Sequence, residues 1–362
     1  MYTKKVMFDM RRIVLATAIV GLLGAVGVSS SVAAQATNNV AAQAQKEALD
    51  TWHESIKHQG PPADGCFHAT YPSLIWEKEA CVPVSAHRAI LPPRFAKPAK
   101  NIQAERSGEA LDTAGDGNDF SAKTSSLTSS AIGSFPSVTG VTSKSNGDYT
   151  LQLNTNMSAS SACNKTYGYS SCQTWEQFIY ATTGEDVSGT PPQAYIQNWL
   201  FLSDDDYQSV GCPSGWASYD PQNACFTDSD AVNTADVALS KLASVKLSGS
   251  ASTSGKDTVI FTNGTTAKSV SQSGKTLSIG STWKQSEFNV VGDGGGSGLS
   301  FNKGSKLTVQ IQVADGKTTA PTCVGPSNGG TTAETNNLTL GKCTATAGKG
   351  SANPYIRFTE SN

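Results

Sequence analysis

The sequence predicts an all-β domain, a two-sheet antiparallel β-sandwich, behind an export signal and a small N-terminal segment. Three observations point there. From about residue 117 onward, short β-branched and aromatic runs recur between Gly, Ser, Thr and Asn turns. Several runs alternate apolar and polar residues, so each can bury one face. Eight cysteines fall into four sequence-local couples along 362 residues, a usage that suits an oxidising compartment.

The export signal comes first. Lys4, Lys5, Arg11 and Arg12 precede the apolar run IVLATAIVGLLGAVGV at 13–28, and SSSVAAQA follows, with Ala34 or Ala36 as cleavage positions. A charged start, a short apolar core and a small-residue exit define a secretory signal peptide. The run is short for a membrane span of about 20 residues. The expected location is secreted, extracellular or periplasmic, with no membrane association once residues 1–34 are removed.

Residues 35–58 are helical in composition, and GPPADGC ends the pattern. A cysteine-closed unit at 65–82 leads into ILPPRFAKPAKNIQAERSGEA, which is rich in Pro, Lys and Arg. Such a stretch reads as an exposed linker open to a processing protease. The boundary is placed near Arg106, giving 1–34 as signal peptide, 35–106 as prosegment and linker, and 107–362 as the sandwich. The alternative is that 35–106 stays as an N-terminal subdomain.

Strands are expected at 119–126, 133–143, 148–156, 176–183, 194–202, 244–252, 257–264, 275–280, 286–291, 305–314 and 355–361. In KLTVQIQV, Leu307, Val309, Ile311 and Val313 share one face; in DTVIFT, Val259 and Phe261 do. About 245 residues of this kind suffice for one two-sheet sandwich. Residues 230–243 could be a short helix or a loop.

Neighbour pairing is the best expectation for the cysteines: Cys66 with Cys81, Cys163 with Cys172, Cys212 with Cys225, and Cys323 with Cys343. No CxxC occurs, and no histidine lies near any cysteine after Cys81, which argues against structural zinc. No cofactor is expected.

The four histidines are His53, His58, His68 and His87, and none follows. Their absence from the sandwich removes Ser-His-Asp and Cys-His catalysis there. Residues 107–362 carry a net charge of −6 (14 Lys, 1 Arg, 15 Asp, 6 Glu), against +1 for 35–106. A single Arg and a negative balance exclude nucleic acid as a partner. Any hydrolytic chemistry must use carboxylates, amides, hydroxyls or backbone groups. Of the six late glutamates, Glu109 and Glu360 sit near the ends and Glu185 and Glu334 in loops, which leaves Glu176 and Glu287 in expected strands, Glu287 sharing its face with Asn289 and Val291.

The order CQTWEQFIY (172–180), AYIQNWLFL (194–202), DTVIFTNGTTAKSV (257–270) and SEFNVVGDGGGS (286–297) resembles the glutamic peptidases, the eqolisin family. Gln173 and Phe178 match that family's glutamine motif. Ala194 and Trp199 match the following strand, and Glu287 with Phe288 the glutamate motif. The resemblance implies a concanavalin-like sandwich and a secreted, acid-active endopeptidase made with a prosegment that inhibits it. It implies a catalytic dyad: Glu287 as general base towards water, and Gln173 as amide donor to the oxyanion. Glu176, Trp175 and Trp199 would bind substrate. The partners would be a protein or peptide substrate and the chain's own prosegment, with a monomer expected. Trp175 and Glu176 replace the family's Gly-Val after the glutamine, and Val291 stands where it has a second glutamate.

Two other classes remain open on the sequence. One is a non-catalytic, lectin-like or surface-binding sandwich. The other is a glycoside hydrolase using Glu176 and Glu287, though the E-x-D-x-x-E string is absent. GDGGGSG (292–298) reads as a turn or flap beside Glu287, since no Lys-Ser/Thr follows to make a phosphate loop. The acidic loops 112–119 and 203–207 lack EF-hand spacing.

Overall fold

Alternation in the sequence becomes burial in the fold. Along Lys306–Ala314, Leu307, Val309, Ile311 and Val313 are buried, and the residues between them are partly or fully exposed. The same period builds the rest of the computed structural model, which describes residues 30–84, 119–142, 149–182, 191–293, 297–326 and 334–362. Most of the signal peptide and the expected boundary near Arg106 lie outside the described residues.

The strands are, in chain order, β1 (Gly65–Thr70), β2 (Glu77–Glu79), β3 (Ser121–Lys123), β4 (Ser130–Thr139) and β5 (Tyr149–Asn154). Next come β6 (Ser158–Ala159), β7 (Cys172–Ala181), β8 (Gln193–Leu202), β9 (Ala217–Tyr219), β10 (Ala224–Asp228) and β11 (Val232–Asn233). The middle of the chain gives β12 (Val245–Ser250), β13 (Lys256–Asn263), β14 (Thr266–Ser273), β15 (Gln285–Gly292) and β16 (Gly298–Leu299). The last are β17 (Lys306–Ala314), β18 (Thr322–Val324), β19 (Thr335–Asn336), β20 (Thr339–Leu340), β21 (Thr344–Thr346) and β22 (Tyr355–Ser361).

They form two large antiparallel sheets, the two-sheet sandwich the sequence predicts. The first runs β2-β1-β14-β13-β12-β4-β17-β22-β20, with β21 on β22. The second runs β18-β3-β15-β5-β7-β8-β10-β9, with β6 on β7 and β11 on β8. A small parallel pair, β16 with β19, stands apart.

The core lies between the sheets. Phe178 and Tyr180 of β7, Phe288 and Val290 of β15, and Leu151 and Leu153 of β5 meet Val259, Phe261, Leu247 and the β17 row. Tyr180 stacks on Phe261 with centroids 4.2 Å apart. Two glycines let aromatic rings close onto the first sheet. A Cβ on Gly133 would lie 2.0 Å from the Phe288 ring, and one on Gly249 would lie 2.1 Å from the Phe178 ring. Four disulfides close local loops, Cys66–Cys81, Cys163–Cys172, Cys212–Cys225 and Cys323–Cys343. Together they use all eight cysteines.

Residues 1–47 and 48–362 form two compact units. A helix spans Ser30–Gln59, so its last turns belong to the second unit. There Trp52 and Ile56 pack with Phe67, Ala69 and Trp76, and with Ile260 and Ala267 of the first sheet. β1 pairs with β14 over six residues, from Gly65 opposite Ser271 to Thr70 opposite Thr266. The first sheet therefore continues into residues expected to be prosegment. No described helix is long and apolar enough to cross a membrane.

Two local expectations differ from the fold. The run at 275–280 is no strand: it is a turn leading into a 3-10 turn at Ile279–Ser281. Leu277 and Ile279 are buried, so the apolar alternation is satisfied by loop side chains dropping into the core. β14 ends just before Gly274, where a Cβ would lie 2.1 Å from the Ser252 carbonyl. The segment 230–243 gives β11 and the start of a 3-10 helix at Leu239–Ser244.

Candidate functional site

One row of side chains crosses the outer face of the second sheet. Register pairs Ser121 with Glu287, Glu287 with Asn154, Asn154 with Gln177, Gln177 with Gln197, and Gln197 with Asp228. Cross-strand partners point to the same face, and here that face is opposite Phe288, Phe178 and Ile196. The row is polar from end to end, and from Glu287 to Gln197 it is almost wholly buried.

Its hydrogen bonds have a direction. The Trp199 indole Nε1 donates to Gln177 Oε1 and to Gln197 Oε1, both at 3.0 Å. An indole N–H can only donate, so the Gln177 oxygen must face it and the Gln177 NH2 must face away. That NH2 donates to Asn154 Oδ1 and Gln152 Oε1, each at 3.2 Å. Asn154 Nδ2 then donates to Glu287 Oε2 at 3.2 Å. Three N–H dipoles thus line up from Trp199 towards the Glu287 carboxylate, and each bond polarises the next. At the far end Gln197 Nε2 donates to Asp228 Oδ1 at 2.9 Å. Burial pushes the Asp228 carboxyl up to about 6 against that hydrogen bond.

The flanks differ in character. On one side Trp175, Trp199, Phe201 and Met157 form an apolar cluster, with Trp199 stacked on Phe226 at 4.8 Å. On the other, Ile179 and Tyr195 pack with Ala231, Val82 and Val84. Beyond Glu287, Asp119 hydrogen-bonds to Glu287, to Asn289 and to Glu360. Burial is the main cause that raises Asp119 to about 6.

The residues singled out from sequence do not all meet. Gln173 shares the face of Glu287, but it pairs with Phe201, four positions along β7 from Gln177. That places it about 13 Å along the strand and about 10 Å across it from the Glu287 position. Trp175 and Trp199 are directly paired on this face and border the row. Glu176 points the other way, between the sheets, where Gln272 Nε2 donates to its Oε2 at 3.4 Å. Glu176 and Glu287 therefore cannot flank one glycosidic bond, and the paired-carboxylate glycosidase is excluded.

Asn154, Gln177, Gln197, Asp228 and Asp119 carry much of the site, and sequence reasoning passed over them. Their signal was present: amide or acidic side chains recur on one face of β5 (Gln152, Asn154), β7 (Gln173 and Gln177, either side of Trp175) and β15 (Glu287, Asn289). Among the described residues no group of three or more His, Cys, Asp or Glu side chains could hold a metal ion.

No family model and no curated protein sequence matches the chain. Among solved structures, it is similar to scytalido-glutamic peptidase crystallised with a peptide-based transition-state analogue. Identity is 12 %, with 69 % of this chain and 98 % of that one covered, at a TM-score of 0.30. A second crystal structure of that peptidase, with a transition-state analogue inhibitor, gives 12 % identity, the same coverage and a TM-score of 0.25. At these values the likeness bears on neither activity nor residue roles.

Proposed function

We propose that this chain is an exported, acid-active peptidase whose general base is Glu287. The observation that supports it is the polarised chain Trp199, Gln177, Asn154, Glu287 on one sheet face, in a sequence with no histidine after His87. A carboxylate fed by aligned N–H donors is suited to take a proton from water attacking a peptide carbonyl, and to return it to the leaving amine. A carboxamide on the same face supplies an N–H to the oxyanion. Register favours Gln177 over Gln173 for that part, with substrate displacing one of the two bonds that the Gln177 NH2 makes to Asn154 and Gln152. Trp175 and Trp199 offer apolar surface to substrate side chains beside the row, and Glu176, facing the other sheet, does not take part.

The row's burial fits a precursor. A peptide can reach Glu287 only after a rearrangement exposes it, and residues 35–106 are assigned as an inhibitory prosegment, cut near Arg106 after export. The mature protein acts as a secreted monomer on protein or peptide substrates. The test is incubation of the full chain with a denatured protein at pH 3–5, beside Glu287→Gln. Wild type is expected to generate peptides after a processing lag, and the variant to be about 10³-fold slower. A wild-type chain that is cut near Arg106 yet cleaves nothing would instead be the non-catalytic binding sandwich.

His53 ties acid to prosegment release in this proposal. Its Nε2 lies 2.8 Å from the Gly264 carbonyl at the β13–β14 turn, so that nitrogen carries a proton and donates there. Desolvation lowers its pKa from 6.5, outweighing the opposing hydrogen bond, and Lys246 lowers it further. Neutral His53 therefore supports docking above its free pKa, and that support is lost as pH falls through the lower docked value. Lys246 also pairs with Asp50 at 3.0 Å. In His53→Gln, whose amide keeps a donor for Gly264, amide hydrogen exchange of β1 is expected to stay slow to a pH lower by roughly half a unit or more. Unchanged pH dependence of that exchange would remove His53 from the trigger.

A further inference from the structure

The fold holds four buried carboxyl groups that lie outside the row from Ser121 to Asp228, and they come as two pairs. Glu176 on β7 hydrogen-bonds to Asp257 on β13, across the gap between the sheets. Asp119, which leads into β3 of the second sheet, hydrogen-bonds to Glu360 on β22 of the first. All four are buried. Among the described residues none of the four forms an ion pair; the ion pairs present involve Glu54, Glu77, Glu79 and Asp50.

Among the described residues, the neighbours of the two pairs supply hydrogen-bond donors and form no ion pair with them. Around the first pair, Ser252 N donates to Asp257 Oδ1 at 3.1 Å and Gln272 Nε2 to Glu176 Oε2. Gln272 also exchanges hydrogen bonds with Asn198 of β8. Two oxygens are left without a donor, Glu176 Oε1 and Asp257 Oδ2. One shared proton between the carboxyls satisfies both. Around the second pair, Asn289 Nδ2 donates to Asp119 and, at 2.6 Å, to Glu360 Oε1. Asn336 Nδ2 donates to Glu360 Oε2 at 3.4 Å. Among the described residues, Glu287 also faces this pair, through Asp119.

We propose that the two carboxyl pairs are acid latches, each joining the two sheets while it shares a proton and pushing them apart once both its members ionise. Two adjacent carboxylates buried without a cation repel strongly, because low polarity neither screens nor solvates them. Burial raises Glu176 and Glu360 well above the usual carboxylate range, with the neighbouring acid adding to it. Burial likewise brings Asp257 and Asp119 to about 6. Groups raised in the folded state stabilise it fully below their unfolded values, near 4, and that stability is lost as pH rises through the folded values. The sandwich is thus most stable in acid, weakens as pH rises from about 4, and goes on weakening above about pH 6, whether or not it is a peptidase.

The experiment is denaturant unfolding of the full, oxidised chain between pH 3 and 8.5, with proton release on unfolding read from the pH slope. Wild type is expected to release between one and two protons above pH 6, a 10- to 100-fold fall in folding constant per pH unit. Glu176→Gln keeps a donor for Asp257 and should remove about one proton from that slope. Glu176→Gln with Glu360→Gln should flatten it. A wild-type slope of zero or of opposite sign overturns the proposal without any variant having to fold. So does a folded double variant that keeps the wild-type slope.

Discussion

Gly133→Ala is expected to destabilise the sandwich by about 3 kcal/mol, near the upper end for overpacking a core. The new methyl would sit 2.0 Å from the Phe288 ring. That ring is fully buried and held by Phe135, with centroids 5.1 Å apart. The strand cannot retreat, because β4 is paired on both sides, to β12 and to β17. For a domain of this size the loss corresponds to a fall in Tm of about 10 °C. Gly249→Ala should behave alike against Phe178. Thermal unfolding of Gly133→Ala alone and with Phe288→Leu is the check. Removing ring volume should restore part of the loss, and purely additive effects would mean the clash is relieved elsewhere.

The second large effect separates two glutamines. Gln177→Ala should lower kcat for a peptide substrate by about 10²- to 10³-fold, the cost of losing one oxyanion donor. Gln173→Ala should change it by a few-fold at most. Gln177 lies in the Glu287 row with its NH2 turned towards that carboxylate, whereas Gln173 lies a full four residues away on the same strand. Folding must be compared in parallel, since Gln177 also accepts from Trp199. Equal losses in the two variants, or a larger one for Gln173, would return the donor's role to Gln173.

Much of this fold could be read from period-two patterns. The alternation of β17, the paired aromatics of β7 and β8, and the local closure of each disulfide loop are properties of short stretches, and short stretches are what a sequence displays directly. Register between distant strands is not. Nothing in the run around Gln173 and Gln177 says which of them meets a glutamate more than 100 residues later; only the β15–β5–β7 pairing decides it. Glu176 shows the same limit. A strand with polar and apolar residues on both faces, such as Cys172–Ala181, is buried on both, so polarity alone cannot tell its inside from its outside. Leu277 and Ile279 mark the converse case, since loops can alternate too when their side chains fill a core.

The sulfur bridges also determine how the N-terminal part can depart. Cys66 is tied to Cys81, and the other six cysteines all lie beyond Asp119. Once the backbone is severed anywhere between Val84 and Asp119, the two pieces are held by contacts alone, and separation needs no reductant. Departure would also strip β14 of the neighbour that covers its ladder from Thr266 to Ser271. A freed edge of this kind invites pairing with another chain, so a sandwich parted from its leader in this way would be expected to self-associate at high concentration unless a new strand took the vacated place.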